Sequence, residues 1–255
     1  KIDEEKFRSL RLARGVYGQR QPGVQMIRIK FPYGRVTPKQ LVRLADVTDE
    51  YSTGKIHITT RQDVQIHYVS LDRTPELWAE LERDEITMRE ACGNVVRNIT
   101  ASANAGVDPN ERFVISTYAQ ATFEYLLRQP FGQELGRKVK IAFASSEFDM
   151  AYTQIHDVGF VLVLRNEERG FKVVVGGGLG AQPFVAVPVY DFLPTNRIIP
   201  FLEAVVRVFD RYGERQRRNK ARLKYLINDI GIDRFIELLN EEQVALKSRE
   251  LKIEA

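Results

Sequence analysis

The sequence predicts an α+β protein in two parts: a strand–helix–strand–helix unit within residues 1–85 and a larger mixed α/β part over residues 86–232. A charged helix or linker is expected over residues 233–255. Three observations carry this reading. Residues 24–34, VQMIRIKFPYG, alternate at a period of two and stop at Pro-Tyr-Gly, as a strand does. TPKQLVRLADVTDEYS opens on Thr37 as a hydroxyl cap and Pro38 at the first helical position, where its missing N–H is not needed, and TPELWAELERD is a second Thr-Pro start. Finally, the short β-rich runs RKVKIAFAS, VGFVLVLRN, FKVVVGGGL and PFVAVPVYD follow one another before a further helix.

In chain order, the first strand sets Gln25, Ile27, Ile29 and Phe31 on one face and Val24, Met26, Arg28 and Lys30 on the other. The helix that follows has Thr37 as its cap, with Leu41, Leu44, Ala45 and Val47 at helical spacing. Residues 57–67, HITTRQDVQIH, read as one strand whose faces disagree. Ile56, Ile58, Val64 and Ile66 suit an interior, while His57, Thr59, Arg61, Asp63, Gln65 and His67 share the other side. Solvated faces collect Lys, Glu, Ser and Thr. This one holds two of the chain's three histidines, an arginine and a glutamine, so it is expected to meet a ligand. The order strand, helix, strand, helix is a ferredoxin-like half-unit, with Arg28 on a neighbouring strand.

Beyond residue 85, MREACGNVVRNITAS is expected to be helical with a polar end, and NAGVDPNER to be a connector leading to the helix YAQATFEYLLRQ. The four β runs come next, then the helix PFLEAVVRVFDRYG, a basic stretch and the charged end NEEQVALKSRELKIEA, which looks like a linker into more protein. The default reading of the basic stretch, residues 214–224, is a solvated or partner-facing helix. Leu223, Leu226 and Ile227 suggest packing, which argues against DNA binding.

Composition narrows the classes. At 255 residues, 44% hydrophobic and 28% charged, the chain can bury a large core. No run approaches the roughly 18 apolar residues of a membrane span, and KIDEEKFRSLRLARG lacks the apolar core of a secretory signal. The expectation is a cytoplasmic chain, a plastid being compatible too, with no membrane partner. The lone Cys92 makes no internal disulfide and cannot by itself hold zinc or an iron–sulfur cluster, so no metal ligands are assigned. A net charge of +4 permits an anionic partner without demanding nucleic acid, which needs a clustered basic patch with stacking aromatics.

Several residues carry chemistry. Lys138 and Lys140, two apart on an expected strand, project from one face, where they repel by up to about 1 kcal/mol unless an anion lies between them. A lysine-guarded sheet edge is the alternative. Arg97 follows two β-branched residues and also reads as an ion-paired helix arginine. Gly176, Gly177 and Gly178 follow an apolar strand, where backbone can approach a ligand or donate amides to an anion; a tight turn is the alternative. The run matches neither the dinucleotide nor the P-loop pattern. His156 reads as structural or surface.

Taken in order, QMIRIKFPYG, HITTRQDVQIH, ACGNVVRNITAS, GRKVKIAFASS, GFKVVVGGGLG and RYGERQRRNKARLKYLI resemble the N-terminal half of the siroheme-dependent sulfite and nitrite reductases, across roughly residues 15–232. The resemblance implies that Arg28, Arg97, Lys138 and Lys140 are the anion-handling residues above the iron. It further implies that His57, Thr59, Arg61, Gln65 and His67 meet the macrocycle and its carboxylates, with Gly176, Gly177 and Gly178 nearby. Cationic forks and hydrogen-bond donors are what burial of such a polyanion requires. Lys140 stands where nitrite enzymes often carry Asn, which favours sulfite reduction to sulfide over nitrite reduction to ammonia. His57 stands where some sulfite reductases carry Arg, which leaves one siroheme carboxylate with a weaker partner.

The family's [4Fe–4S] cluster is held by two spaced cysteine pairs in the second half. This sequence has neither pair, so the resemblance implies a cluster supplied by the missing half or by a partner chain. It also implies an electron donor such as ferredoxin or a flavoprotein. A non-catalytic tetrapyrrole-binding or interaction module is the reading from another class.

Overall fold

The computed structural model describes residues 2–254, which form two compact units, one reaching to Gly93 and the other beginning at Asn94. In the first unit, helix α1 (Glu4–Ala13) is capped by Asp3, whose carboxylate accepts the N–H groups of Glu5 and Lys6 at 3.1 and 3.2 Å. Strands β1 (Val16–Gly18), β2 (Val24–Ile29), β3 (Ile56–Ile58) and β4 (Val64–Ser70) make an antiparallel sheet in the order β1-β2-β4-β3. Helices α2 (Pro38–Tyr51) and α3 (Thr74–Glu82) complete the ferredoxin-like half-unit.

Helix α2 starts where the sequence says. The Thr37 hydroxyl accepts the Gln40 N–H at 3.2 Å, and the Gln40 side chain accepts the Thr37 N–H at 3.0 Å, a reciprocal box. Its buried stripe is Leu44, Val47, Thr48 and Tyr51; Leu41 and Ala45, expected in the stripe, are exposed. The helix is rotated so that Arg43 lies beside α3, where it pairs with Glu80 at 2.9 Å and Asp84 at 2.7 Å. A bulge between Gln25 and Ile27 breaks the expected alternation of β2, so Gln25, Met26 and Ile27 are all buried.

Residues 57–67 correct the single-strand reading, since they form a hairpin of β3 and β4. Thr59 to Asp63 contain no apolar residue and make the turn: the Thr59 N–H donates to the Asp63 carbonyl at 2.8 Å, and Gln62 takes a φ of +58°. The shared polar face survives because the register pairs His57 with Gln65, odd with odd. The apolar side is only half as expected. Val64 and Ile66 are buried, but Ile56 and Ile58 are 40% and 74% exposed because β3 is the edge strand, paired on one side.

The second unit is a five-stranded sheet in the order β5-β6-β7-β8-β9, comprising β5 (Val96–Ala101), β6 (Val139–Ala144), β7 (Val158–Arg165), β8 (Glu168–Val175) and β9 (Val187–Pro194). The first three run parallel and the rest antiparallel. Helices α4 (Ser116–Leu126), α5 (Ile198–Tyr212), α6 (Leu223–Ile230) and α7 (Ile232–Ala245) accompany it. The segment expected to be helical around Arg97 is instead β5, entered through turns. A parallel strand buried on both faces carries no alternation to read, and all six residues of β5 are buried.

Rings fill the core. Phe143 stacks on Phe160 at 4.6 Å, and Phe171 meets Phe143, Tyr118 and Phe113 edge-on at 5.5, 5.5 and 5.6 Å. Phe201 of α5 approaches Phe160 at 6.1 Å. Helix α7 lays Phe235, Leu238 and Leu239 inward and pairs Glu242 with Arg211 of α5 at 2.9 Å. Beyond it, the Leu251 N–H donates to the Asn196 carbonyl at 2.7 Å. Among the described residues, no helix is long and apolar enough to cross a membrane.

Candidate functional site

In the first unit, the sheet register aligns Arg28 on β2, Gln65 on β4 and His57 on β3 side by side. With the Gln65 amide oriented to satisfy the pair, its oxygen accepts from Arg28 Nε at 3.0 Å and from Nη2, which holds the guanidinium against the sheet. His67 lies two residues further along the same face, its ring stacked over His57 at 6.1 Å and 26°. Burial, then His57 and Arg28, lower the pKa of His67, so its neutral form is favoured. Thr59 and Arg61 sit in the connecting turn. The Thr59 hydroxyl accepts the N–H groups of Arg61 and Asp63 at 3.3 and 3.1 Å. Arg28, His57, Gln65 and His67 therefore share one face, while Thr59 and Arg61 belong to the turn between two of its strands.

In the second unit, β5 and β6 lie parallel with Val96 opposite Val139. Arg97 follows Val96 and is 8% exposed; Lys138 and Lys140 flank the fully buried Val139 and so lie on the opposite side of the chain from it. Burial, then Arg97, Lys140, Arg137 and Arg222, push the Lys138 ammonium down to about 7. No carboxylate forms a salt bridge to Lys138 among the described residues. A half-buried lysine ringed by cations is a place where an anion relieves repulsion, and near neutral pH its Nζ can give or take a proton.

Sequence reasoning missed two residues here. Asp157 has a fully buried side chain that accepts from Arg222 Nε and Nη2, and also from the Lys140 N–H at 2.9 Å. The two lie 65 positions apart in the chain, so spacing gives no signal for the pair. Arg222 and Lys224 were grouped in a basic solvated helix, which the structure corrects. Arg218–Lys220 is a short 3-10 turn, and α6 buries Leu223, Lys224 and Tyr225, since the apolar residues of KARLKYLI pack inward. Lys224 donates to the carbonyls of Gly178 and Leu179 at 3.4 and 3.2 Å and to that of Gln182.

Those bonds secure the glycine turn. The Gly176 N–H goes to the Asp157 carbonyl at 2.9 Å and the Gly178 N–H to the Phe184 carbonyl at 3.0 Å, so two of the three amides are engaged within the chain. A Cβ on Gly177 would lie 2.4 Å from the Gln154 carbonyl oxygen. Close backbone packing is what demands glycine there. His156 is structural, its Nδ1 lying 2.8 Å from the Tyr152 carbonyl.

Comparison with known proteins matches residues 92–247 to the family described as nitrite and sulphite reductase 4Fe-4S domain, and residues 17–84 to the nitrite/sulfite reductase ferredoxin-like half domain. Sulfite reductase [ferredoxin] 2 of Mycolicibacterium paratuberculosis is 32% identical over 218 residues, 85% of this chain and 39% of that protein. Ferredoxin–nitrite reductase of Synechococcus elongatus is 32% identical over 227 residues, 86% of this chain and 44% of that protein. A solved structure of the NirA protein of Mycobacterium tuberculosis superposes with a TM-score of 0.89 at 29% identity, covering 100% of this chain and 49% of that one. This chain thus spans under half the length of these relatives. With a single cysteine, and no group of three or more potential metal ligands among the described residues, its side chains do not fit a 4Fe–4S cluster. Both parts of the chain match the same proteins in the same order, and on that ground it belongs to the siroheme-dependent sulfite/nitrite reductase family.

Proposed function

We propose that this chain is the siroheme-binding, oxyanion-activating half of a sulfite reductase. The observation that carries the reading is Lys138, half-buried among Arg97, Lys140, Arg137 and Arg222, with its ammonium pushed down to about 7. Such a cluster suits a small dianion. Arg97 supplies a permanent charge, Lys140 a second cation, and Lys138 Nζ a proton for the oxygen that leaves as water. On the first unit, Arg28, His57, Gln65 and His67 are a donor set suited to the carboxylates of a macrocycle, with Arg61 and Thr59 in the turn beside them. Bound siroheme supplies the redox chemistry; these side chains bind, orient and protonate.

Sulfite is preferred to nitrite because Lys140 stands where the nitrite enzymes often carry Asn. The nitrite reading is kept by relatives of both kinds at equal identity. Ferredoxin is the electron donor that the relatives' names favour, and the cluster comes from cysteines outside these residues, in the same protein or a partner. Steady-state turnover of the protein isolated from its source, with reduced ferredoxin and either anion, tests the reading. We expect kcat/KM at least ten-fold higher for sulfite; a preference for nitrite would overturn the substrate assignment, and turnover of neither would overturn the reading as a whole.

A further inference from the structure

Deepening the oxyanion reading, and resting on it, is the arrangement around Asp157. We propose that the buried Asp157–Arg222 ion pair is a positioning pair for the two lysines, anchoring Lys140 through its backbone and holding a guanidinium beside Lys138. Asp157 uses all of its acceptor capacity. Oδ1 takes Arg222 Nε at 3.1 Å and Nη2 at 2.9 Å, while Oδ2 takes Nη2 at 2.8 Å and the Lys140 N–H at 2.9 Å. Its backbone carbonyl takes the Gly176 N–H as well.

The Lys140 amide lies one residue outside the β6–β7 ladder, whose register begins at Ile141 opposite Val158. A carboxylate therefore completes the start of β6, which carries Lys140 and which Lys138 precedes by one residue. The Asp157 side chain is 0% exposed and that of Arg222 12%, so neither charge is screened by bulk water. The guanidinium engages the carboxylate in a fork, which keeps Asp157 from neutralising the lysines, and Arg222 is itself among the cations that disfavour a proton on Lys138.

A purely structural ion pair and a positioning pair make different forecasts. In the full chain, NMR titration of the Lys138 ε-methylene reads the electrostatics, and hydrogen exchange of the Lys140 amide reads the anchor. Arg222→Gln removes a repelling cation and leaves a buried carboxylate unpaired, so the Lys138 midpoint should rise. Asp157→Leu, which removes the acceptor, should leave that midpoint level or lower it, and speed Lys140 amide exchange at least about ten-fold, one lost hydrogen bond. Because an unpaired buried charge can prevent folding, the double change Asp157→Leu/Arg222→Leu is made alongside; it should retain the fold yet still release the Lys140 amide.

Folded variants in which neither the Lys138 midpoint nor Lys140 exchange moves would overturn the inference. Sulfate, titrated into the unaltered chain, reads the anion site separately. Shifts at the lysines without sulfate binding would uphold the positioning pair and sink the oxyanion reading; sulfate binding with unmoved lysines would do the reverse.

Discussion

Lys138 is protonated in the unfolded chain up to the ordinary 10.5 but in the folded unit only up to about 7. Between those values the unfolded state binds more protons, so stability rises with pH through that window, and below about 7 the cost of the buried charge is fully present. An oxyanion beside Nζ reverses the preference and draws a proton onto it. At pH 8, sulfate binding should therefore take up protons, seen as a calorimetric enthalpy that varies with the buffer's own ionisation heat. Lys138→Met should abolish that dependence and weaken sulfate roughly ten-fold or more, the loss of one hydrogen bond between charged groups. At this scale the sequence drew attention to Lys138 and Lys140 by their spacing, while the anion-handling role of Arg28, Arg97, Lys138 and Lys140 is what the resemblance implies. Asp157 could not be singled out, because its partner Arg222 lies 65 residues away and only the folded chain brings them together.

At the scale of elements, residues 57–67 show how a pattern can be right about a face and wrong about a strand. The polar set is shared because His57 pairs with Gln65, although Thr59 to Asp63 turn the chain between them. Gln65→Leu would remove the acceptor that holds the Arg28 guanidinium, and siroheme content of the isolated protein should fall several-fold with the fold intact. Unchanged content would remove the Arg28–Gln65 pair from cofactor binding. The glycine turn carries a sharper test. Gly177→Ala places a Cβ 2.4 Å from the Gln154 oxygen and 2.7 Å from the His156 oxygen, both backbone, and should cost roughly 1–3 kcal/mol in denaturant unfolding. Strand β5 was hidden from the sequence for a different reason: VRNITA is buried on both faces and mixes Val96 and Ile99 with Arg97, Asn98 and Thr100, so no alternation marks it as a strand.

At the scale of the whole molecule, the α+β class and the ferredoxin-like half-unit were legible because two Thr-Pro helix starts and an alternating strand are local signals. Sheet order was not. The β5-β6-β7-β8-β9 arrangement depends on long-range pairing and on the ring cluster around Phe171, whose partners come from separate segments. Phe171→Ala should remove about 3–5 kcal/mol from the second unit, measurable as an earlier unfolding transition. Most directly, the account rests on a polyanionic tetrapyrrole being the ligand of these cationic faces. The measurement that tests it is the optical spectrum, with pigment extraction, of the protein isolated from its source. The account predicts one siroheme per chain, reduced in an Arg28→Ala variant that still folds; a fully folded protein yielding no tetrapyrrole contradicts it.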